Sequence, residues 1–359
     1  MNTKQITLFA LTLALTAAPA LAQTGKKKPA LKPPTAKPAV KPAVKPAVKP
    51  APKPAQAPAQ SGPIVLGTEQ LPGDFGKLGQ TYTIGRREPL NITLKSAAYT
   101  IEPFVAGNNT WVPKADEKIL LLRFTAHNPN PQELSLSWSS LKLTAVDQTD
   151  TNRKAIDAVV RDGKQESLMV SLKPAQKIDI VMAIVVPAEG VVPKLIVERE
   201  NGAPVIRYDL RGKVDALPKF VADETDTTGA TVRKQIPAEP GVFYPLGVFD
   251  TRLDLVGTVE GKLLNREPGD GKHWFTVSYT IKNRTASQQR YVWSDFMPEL
   301  KDTDDEKVRW TQAILKVSRD EVTYGELAPG EEAKFRFFFA MPENVSGKTL
   351  TLSEAGLVH

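Results

Sequence analysis

Lys118-Ile-Leu-Leu-Leu-Arg-Phe-Thr-Ala126 is a short β-rich run that stops at an asparagine, Asn128. The same arrangement returns 155 positions later in Tyr279-Thr-Ile-Lys-Asn283. Working outward at that offset, Trp138-Ser139 matches Trp293-Ser294, and Asp147 and Asp150 match Asp302 and Asp305. Leu172 and Pro174 match Leu327 and Pro329, Pro187 matches Pro342, and Leu195 matches Leu350. The coincidence holds without a gap over about 70 residues, which marks an internal repeat. Each copy reads as strand, Asn turn, Trp strand, acidic loop, Leu-x-Pro, strand and Pro. Ile178–Val186 and Lys334–Ala340 are further β-rich runs, each ended by proline. No amphipathic stretch longer than about two helical turns accompanies them.

The pattern predicts an all-β chain built from two tandem immunoglobulin-like β-sandwiches. The first is expected over residues 64–213 and the second over residues 241–359. A polar, turn-rich linker is expected at residues 214–240, around Asp223-Glu-Thr-Asp-Thr-Thr-Gly229. Both sizes suit a single core.

The first 63 residues differ in kind. Met1 to Ala22 reads as a secretory signal: Lys4 gives the positive end, Ile6–Leu15 the apolar stretch, and Ala20-Leu21-Ala22 an A-x-A cleavage site. The stretch is shorter than the ~20 apolar residues that span a bilayer, and no other segment qualifies. Residues 23–63 form a Lys/Pro/Ala-rich tether with near-repeats of Lys-Pro-Ala-Val beginning at Lys37, Lys41 and Lys45. Proline removes backbone donors and pushes its predecessor toward extended geometry, so the expected state is an extended polyproline II spacer. Forty such residues reach on the order of 120 Å.

Charge supports this division. Of 359 residues, none is cysteine, and the formal charge is +7. Ten lysines and no acids fall in residues 1–62, which leaves 37 basic against 40 acidic groups in the remainder. The cationic charge therefore sits in the tether and not on a folded face, which argues against nucleic-acid binding. Lys26, Lys37, Lys41, Lys45, Lys49 and Lys53 are candidate contacts to anionic envelope polymers or lipid headgroups, at about 1 kcal/mol per charge near such a surface. Without cysteine, no disulfide supports the fold of an exported protein.

At Phe124-Thr-Ala-His-Asn128, Leu172-Lys-Pro-Ala-Gln176, Leu327-Ala-Pro-Gly-Glu331 and Phe339-Ala-Met-Pro342, the chain resembles a secreted bacterial immunoglobulin-like domain family of unknown function. That family is similar to the secreted immunoprotective antigen of mycobacteria. The resemblance covers both modules but not the tether. It implies an extracytoplasmic β-sandwich, in the periplasm, cell envelope or extracellular space, and brings no catalytic set with it.

Few residues suggest chemistry. Trp138 and Trp293 recur at one structural position, which favours a core role for each. Trp111, Trp274 and Trp310 do not recur and are the aromatic candidates for a surface contact, with a protein partner or a glycan; Trp310 is the chosen one. His127, His273 and His359 could together bind copper or zinc as an imidazole set, the basis of an alternative reading as a copper superoxide dismutase-like redox enzyme. Against it, no two are close in sequence and none recurs; His127 aligns with Lys282 and His273 with Lys118, as surface strand positions would. Asp302, Asp304 and Asp305 sit in an acidic loop that could take calcium, although it lacks EF-hand spacing and reads more simply as a solvated turn. Met182, Met297 and Met341 lie in apolar runs and read as core. No nucleophile elbow or phosphate-cradling glycine loop is present. The expectation is a cell-envelope binding or assembly protein without a resident cofactor.

Overall fold

The computed structural model describes residues 5–9, as backbone, and residues 74–354. Most of the expected signal and all of the tether to residue 60 lie outside these residues, as does His359. The main strands, in chain order, are β1 (Gln5–Phe9), β2 (Leu90–Thr100), β3 (Glu117–His127), β4 (Lys142–Val146), β5 (Lys177–Pro187), β6 (Lys194–Glu198), β7 (Ile206–Asp209), β8 (Gln235–Ala238), β9 (Phe249–Val259), β10 (Lys272–Asn283), β11 (Phe296–Asp302), β12 (Glu332–Pro342) and β13 (Gly347–Glu354). The fold is all-β, as expected; among the described residues the helical content is two three-residue 3-10 turns, Trp138–Ser140 and Trp293–Asp295.

The sequence in β3 explains its burial. Leu120, Leu122, Phe124 and Ala126 alternate onto one face and enter the main core of the first module. Ile119 faces the other way, into a smaller cluster with Phe104, Val181 and Ala183. β3 pairs antiparallel with β2 and β5, with Phe124 opposite both Leu94 and Ile180. The facing sheet runs β7-β6-β4 and then Asn152–Lys154.

The second module has the corresponding sheet β9-β10-β12, extended beyond β9 by Tyr244–Leu246. Val277, Tyr279 and Ile281 of β10 enter its core, beside Phe335 and Phe337 of β12. Trp274 and Phe338 face outward into a small covered cluster. Rings pack edge to face through this core: Tyr279 and Phe337 lie 5.6 Å apart, and Phe335 and Phe337 5.3 Å apart. The facing sheet runs β8-β1-β13-β11 and then Lys307–Val308.

Two buried asparagines fasten the turns that close these sheets. Asn128 donates from Nδ2 to the Gln132 and Leu172 carbonyls, both at 2.8 Å, while its Oδ1 accepts from the Asn130 amide. Asn283 donates to the Ser287 and Leu327 carbonyls at 2.7 and 2.9 Å, and its Oδ1 accepts from the Thr285 amide. The amides of Ala175 and Gly330 donate in turn to the carbonyls of Asn128 and Asn283. Both donors are left-handed, with φ of 62° at Ala175 and 75° at Gly330. Alanine accepts that conformation at a cost that glycine avoids.

Residues 214–240, expected as a polar, turn-rich linker, pack against the first module. Val214–Asp215 pairs parallel with β2, and Leu217, Val221, Ala230, Val232 and Ile236 are buried in the core of the first module. Ala238 then enters the second core, and Tyr244 packs against both. Polar bonds also join the modules: the buried Arg284 guanidinium pairs with Glu102, and the Ala286 amide donates to Thr110 Oγ1 at 2.9 Å.

Asn283→Ala should lower the unfolding free energy by about 1–3 kcal/mol, because it leaves buried carbonyls and an amide unpaired. Asn128→Ala should cost a similar amount. Denaturant titration followed by tryptophan fluorescence measures both.

Candidate functional site

His127 and His273 lie on different modules. His127 is half-buried at the end of β3, where Nδ1 lies 3.0 Å from Asn91 Nδ2. The amide nitrogen can only donate, so Nδ1 accepts. Burial, reinforced by nearby Lys177, lowers the His127 pKa. His273 stands on the other module, in an open cleft of about 660 Å³ that also holds Glu260, Glu267, Asp270, Lys272 and Glu343. His273 and Lys118 are not equivalent surface positions, since Lys118 is fully buried. Among the described residues, no group of three histidine, aspartate or glutamate side chains is arranged to hold a metal ion.

In the acidic loop, Asp302 turns its carboxylate inward to hold the turn. Asp302 is buried, and its Oδ1 accepts from the Asp304 and Glu306 amides, each at 3.0 Å. Asp305 is left-handed and pairs with Lys348 at 2.8 Å. Asp304 is exposed. Asp147 is the counterpart of Asp302 and accepts from the Thr149 and Thr151 amides and the Thr149 hydroxyl. Burial would raise the Asp147 carboxyl, but these bonds and Arg153 hold it down at about 2. The need for an inward-facing acceptor at a tight turn accounts for the recurring aspartate.

The tryptophans reverse two expectations. Trp138 and Trp293 are not core residues; each begins a 3-10 turn and is 45% and 40% exposed. The turn directs these rings outward, while Leu141 and Phe296, the first residues after the turns, are buried instead. Trp274, one of the candidates for a surface contact, is buried against Phe338 at 5.3 Å. Trp111 is half-buried against Phe104. Met182 and Met341 are core, but Met297 points off the outer face of β11 and is 54% exposed, because the alternation there buries Phe296 and Pro298.

Trp310 is half-buried and packs between exposed Trp293 and the core of the second module. Its ring lies 6.1 Å from Trp293 edge to face and 5.8 Å from the core ring Phe337. Exposed Tyr324 adjoins Gly325, which pairs with Tyr291, two residues before Trp293. A ring anchored on the core beside a second ring open to solvent can take an apolar or planar group from a partner at little cost in side-chain entropy.

Lys118 is the polar residue that the sequence pattern concealed within an apolar run. Its Nζ donates to the carbonyls of Ala188, Gly190 and Ala230 and lies 4.5 Å from the Tyr99 ring centre. It thereby fastens the segment around Ala230 to the end of β5. Burial lowers the Lys118 pKa to about 8, with Asp226 opposing the change.

Because the folded pKa lies below the free value of 10.5, the unfolded chain binds this proton more strongly between about pH 8 and 10.5. At this position stability therefore rises as pH climbs through that window, and the cost of burying the ammonium is fully present below about pH 8. Lys118→Met should abolish this increment in the pH profile of the unfolding midpoint. In acrylamide quenching, Trp138→Phe and Trp293→Phe should each remove readily quenched emission, whereas Trp274→Phe should remove protected emission.

No family model and no curated relative matches the chain. Among solved structures it is similar to an uncharacterized β-sandwich protein from Clostridium difficile, with 14% identity over 44% of this chain and 99% of that one and a TM-score of 0.28. It is also similar to the yjhA protein from Bacillus subtilis, with 15% identity over 39% and 99% of the two chains and a TM-score of 0.26. A conserved hypothetical protein from Bacillus anthracis matches at 18% identity over 32% and 90%, with a TM-score of 0.24.

Proposed function

We propose that this chain is an exported, tethered component of the cell envelope that binds or assembles with protein partners through two tandem immunoglobulin-like modules. The observation that carries the reading is the Trp293–Trp310 pair, a solvent-open ring braced by one that rests on the core, at 6.1 Å. It gives the second module a ready contact for a partner. The repeated asparagine staples and acidic turns, 155 positions apart, support descent of the two modules from one unit and the resemblance to the secreted immunoglobulin-like family. Export rests on Lys4, the Ile6–Leu15 stretch and Ala20-Leu21-Ala22.

In this reading the lysines between Lys26 and Lys53 hold the chain to anionic envelope polymers. The prolines keep the modules at a distance from that layer. The mechanism is adhesive, and no step of catalysis is assigned. Attraction of this kind weakens as salt shortens the screening length to below 10 Å.

Deleting Lys26–Pro54 should release the protein from envelope fractions while leaving its thermal midpoint unchanged, and raised salt should release the intact chain. Retention of the deletion variant in washed envelopes would overturn the role of the tether.

A further inference from the structure

The two modules complete their second sheets differently. In the first, β6 lies between β4 and β7, with Leu195 opposite Tyr208 and Val197 opposite Ile206. In the second, β13 lies between β11 and β1, with Leu350 opposite Leu8 and Leu352 opposite Ile6. Leu350 and Leu352 stand 155 positions beyond Leu195 and Val197, so Leu8 holds the register position of Tyr208, and Ile6 that of Ile206.

The far edge agrees. In the first module, Gly76 forms a parallel bridge with Tyr208, and its amide donates to the Arg207 carbonyl at 2.7 Å. In the second, β8 pairs parallel with β1, placing Ala238 opposite Leu8 and Ile236 opposite Ile6. The strand that follows β6 in the first module is thus replaced in the second by a segment from the other end of the sequence. Among the described residues, no strand of the second module itself takes that place.

We propose that the groove between β8 and β13 is a strand-acceptor site. It is filled in the unprocessed chain by Gln5–Phe9 and, once residues 1–22 are cleaved off, by an extended strand of a partner protein. This inference rests on the reading of the chain as an exported binding component. The occupant runs antiparallel to β13 and carries apolar residues at its second and fourth positions, as Ile6 and Leu8 do. The groove walls set that requirement, since Leu350, Leu352, Ile236 and Ala238 are all buried. An empty groove would expose them and leave two rows of backbone donors and acceptors without ladder partners.

The groove is not free to collapse. β8 and β13 are held two strand spacings apart, roughly 10 Å. β8 is anchored on both sides: Ile236 belongs to the first core, and the Glu239 amide donates to the Tyr244 hydroxyl at 3.1 Å. Nor can a second processed copy supply Gln5–Phe9, because it has lost the same segment. Strand addition from a partner gives affinity through the main chain and specificity through alternate side chains.

The test uses the full chain with a site-specific protease site inserted between Ala22 and Gln23. The folded protein is cut, and the released fragment is removed on a sizing column in low urea. The probe is a fluorescein-labelled peptide of residues Lys4–Ala10. The uncut chain should take up no peptide, and the cut chain should bind it saturably at one to one. Binding should restore hydrogen-exchange protection to β13 and β8. A peptide with Thr7→Pro should bind at least about tenfold more weakly, because proline removes a ladder donor. Unchanged protection of β13 after loss of the fragment, or no peptide uptake, would overturn the proposal. Dimerisation of the cut chain with no peptide uptake would overturn it in favour of closure by a second copy. These readouts use pure protein, so they stand apart from the envelope-release test.

Discussion

The fold depends on a side-chain amide placed where no main-chain partner exists. Each sandwich must turn its chain out of one sheet just as a second segment arrives from across the core, leaving carbonyls in an interior that water cannot reach. Asn128 and Asn283 supply two donors and one acceptor at that spot. An asparagine presents both kinds of group within one short planar unit, which an aspartate or a serine does not. The left-handed turn at Ala175 or Gly330 docks on the main-chain carbonyl of the same asparagine.

That constraint explains what could be read from sequence. Asn, Leu-x-Pro and the acidic turn recur because each performs a backbone task that few residues can perform. The β-rich runs are legible because β-branched, aromatic and other apolar residues concentrate in them and stop at Asn or Pro. The tryptophans misled because recurrence was taken as burial. Trp138 and Trp293 recur at a 3-10 turn, whose geometry turns the ring outward and buries the following Leu141 and Phe296.

Lys118 was concealed for a different reason. A lysine at the start of an apolar run ordinarily marks the solvent end of a strand, and nothing local announces that three carbonyls from residues 188, 190 and 230 will gather around its ammonium. Residues 214–240 are polar and turn-rich in composition, yet every few residues an apolar side chain returns to the first core. Long-range burial of this kind is invisible to a window of ten residues. The modules are consequently joined by packing and by the Arg284–Glu102 pair, and not by a hinge.

The position of β1 also has a bearing on the order in which the molecule can be made. Gln5 pairs with Ser353, so strands far apart in the sequence lie side by side in this sheet. A contact spanning nearly the whole polypeptide is slow to form, because the loop must close before the pairing can reward it. Without β1, the sheet β8-β1-β13-β11 lacks the strand that joins β8 to β13. A sheet that pairs strands so far apart in sequence makes the completion of one sandwich depend on the placement of a single short segment.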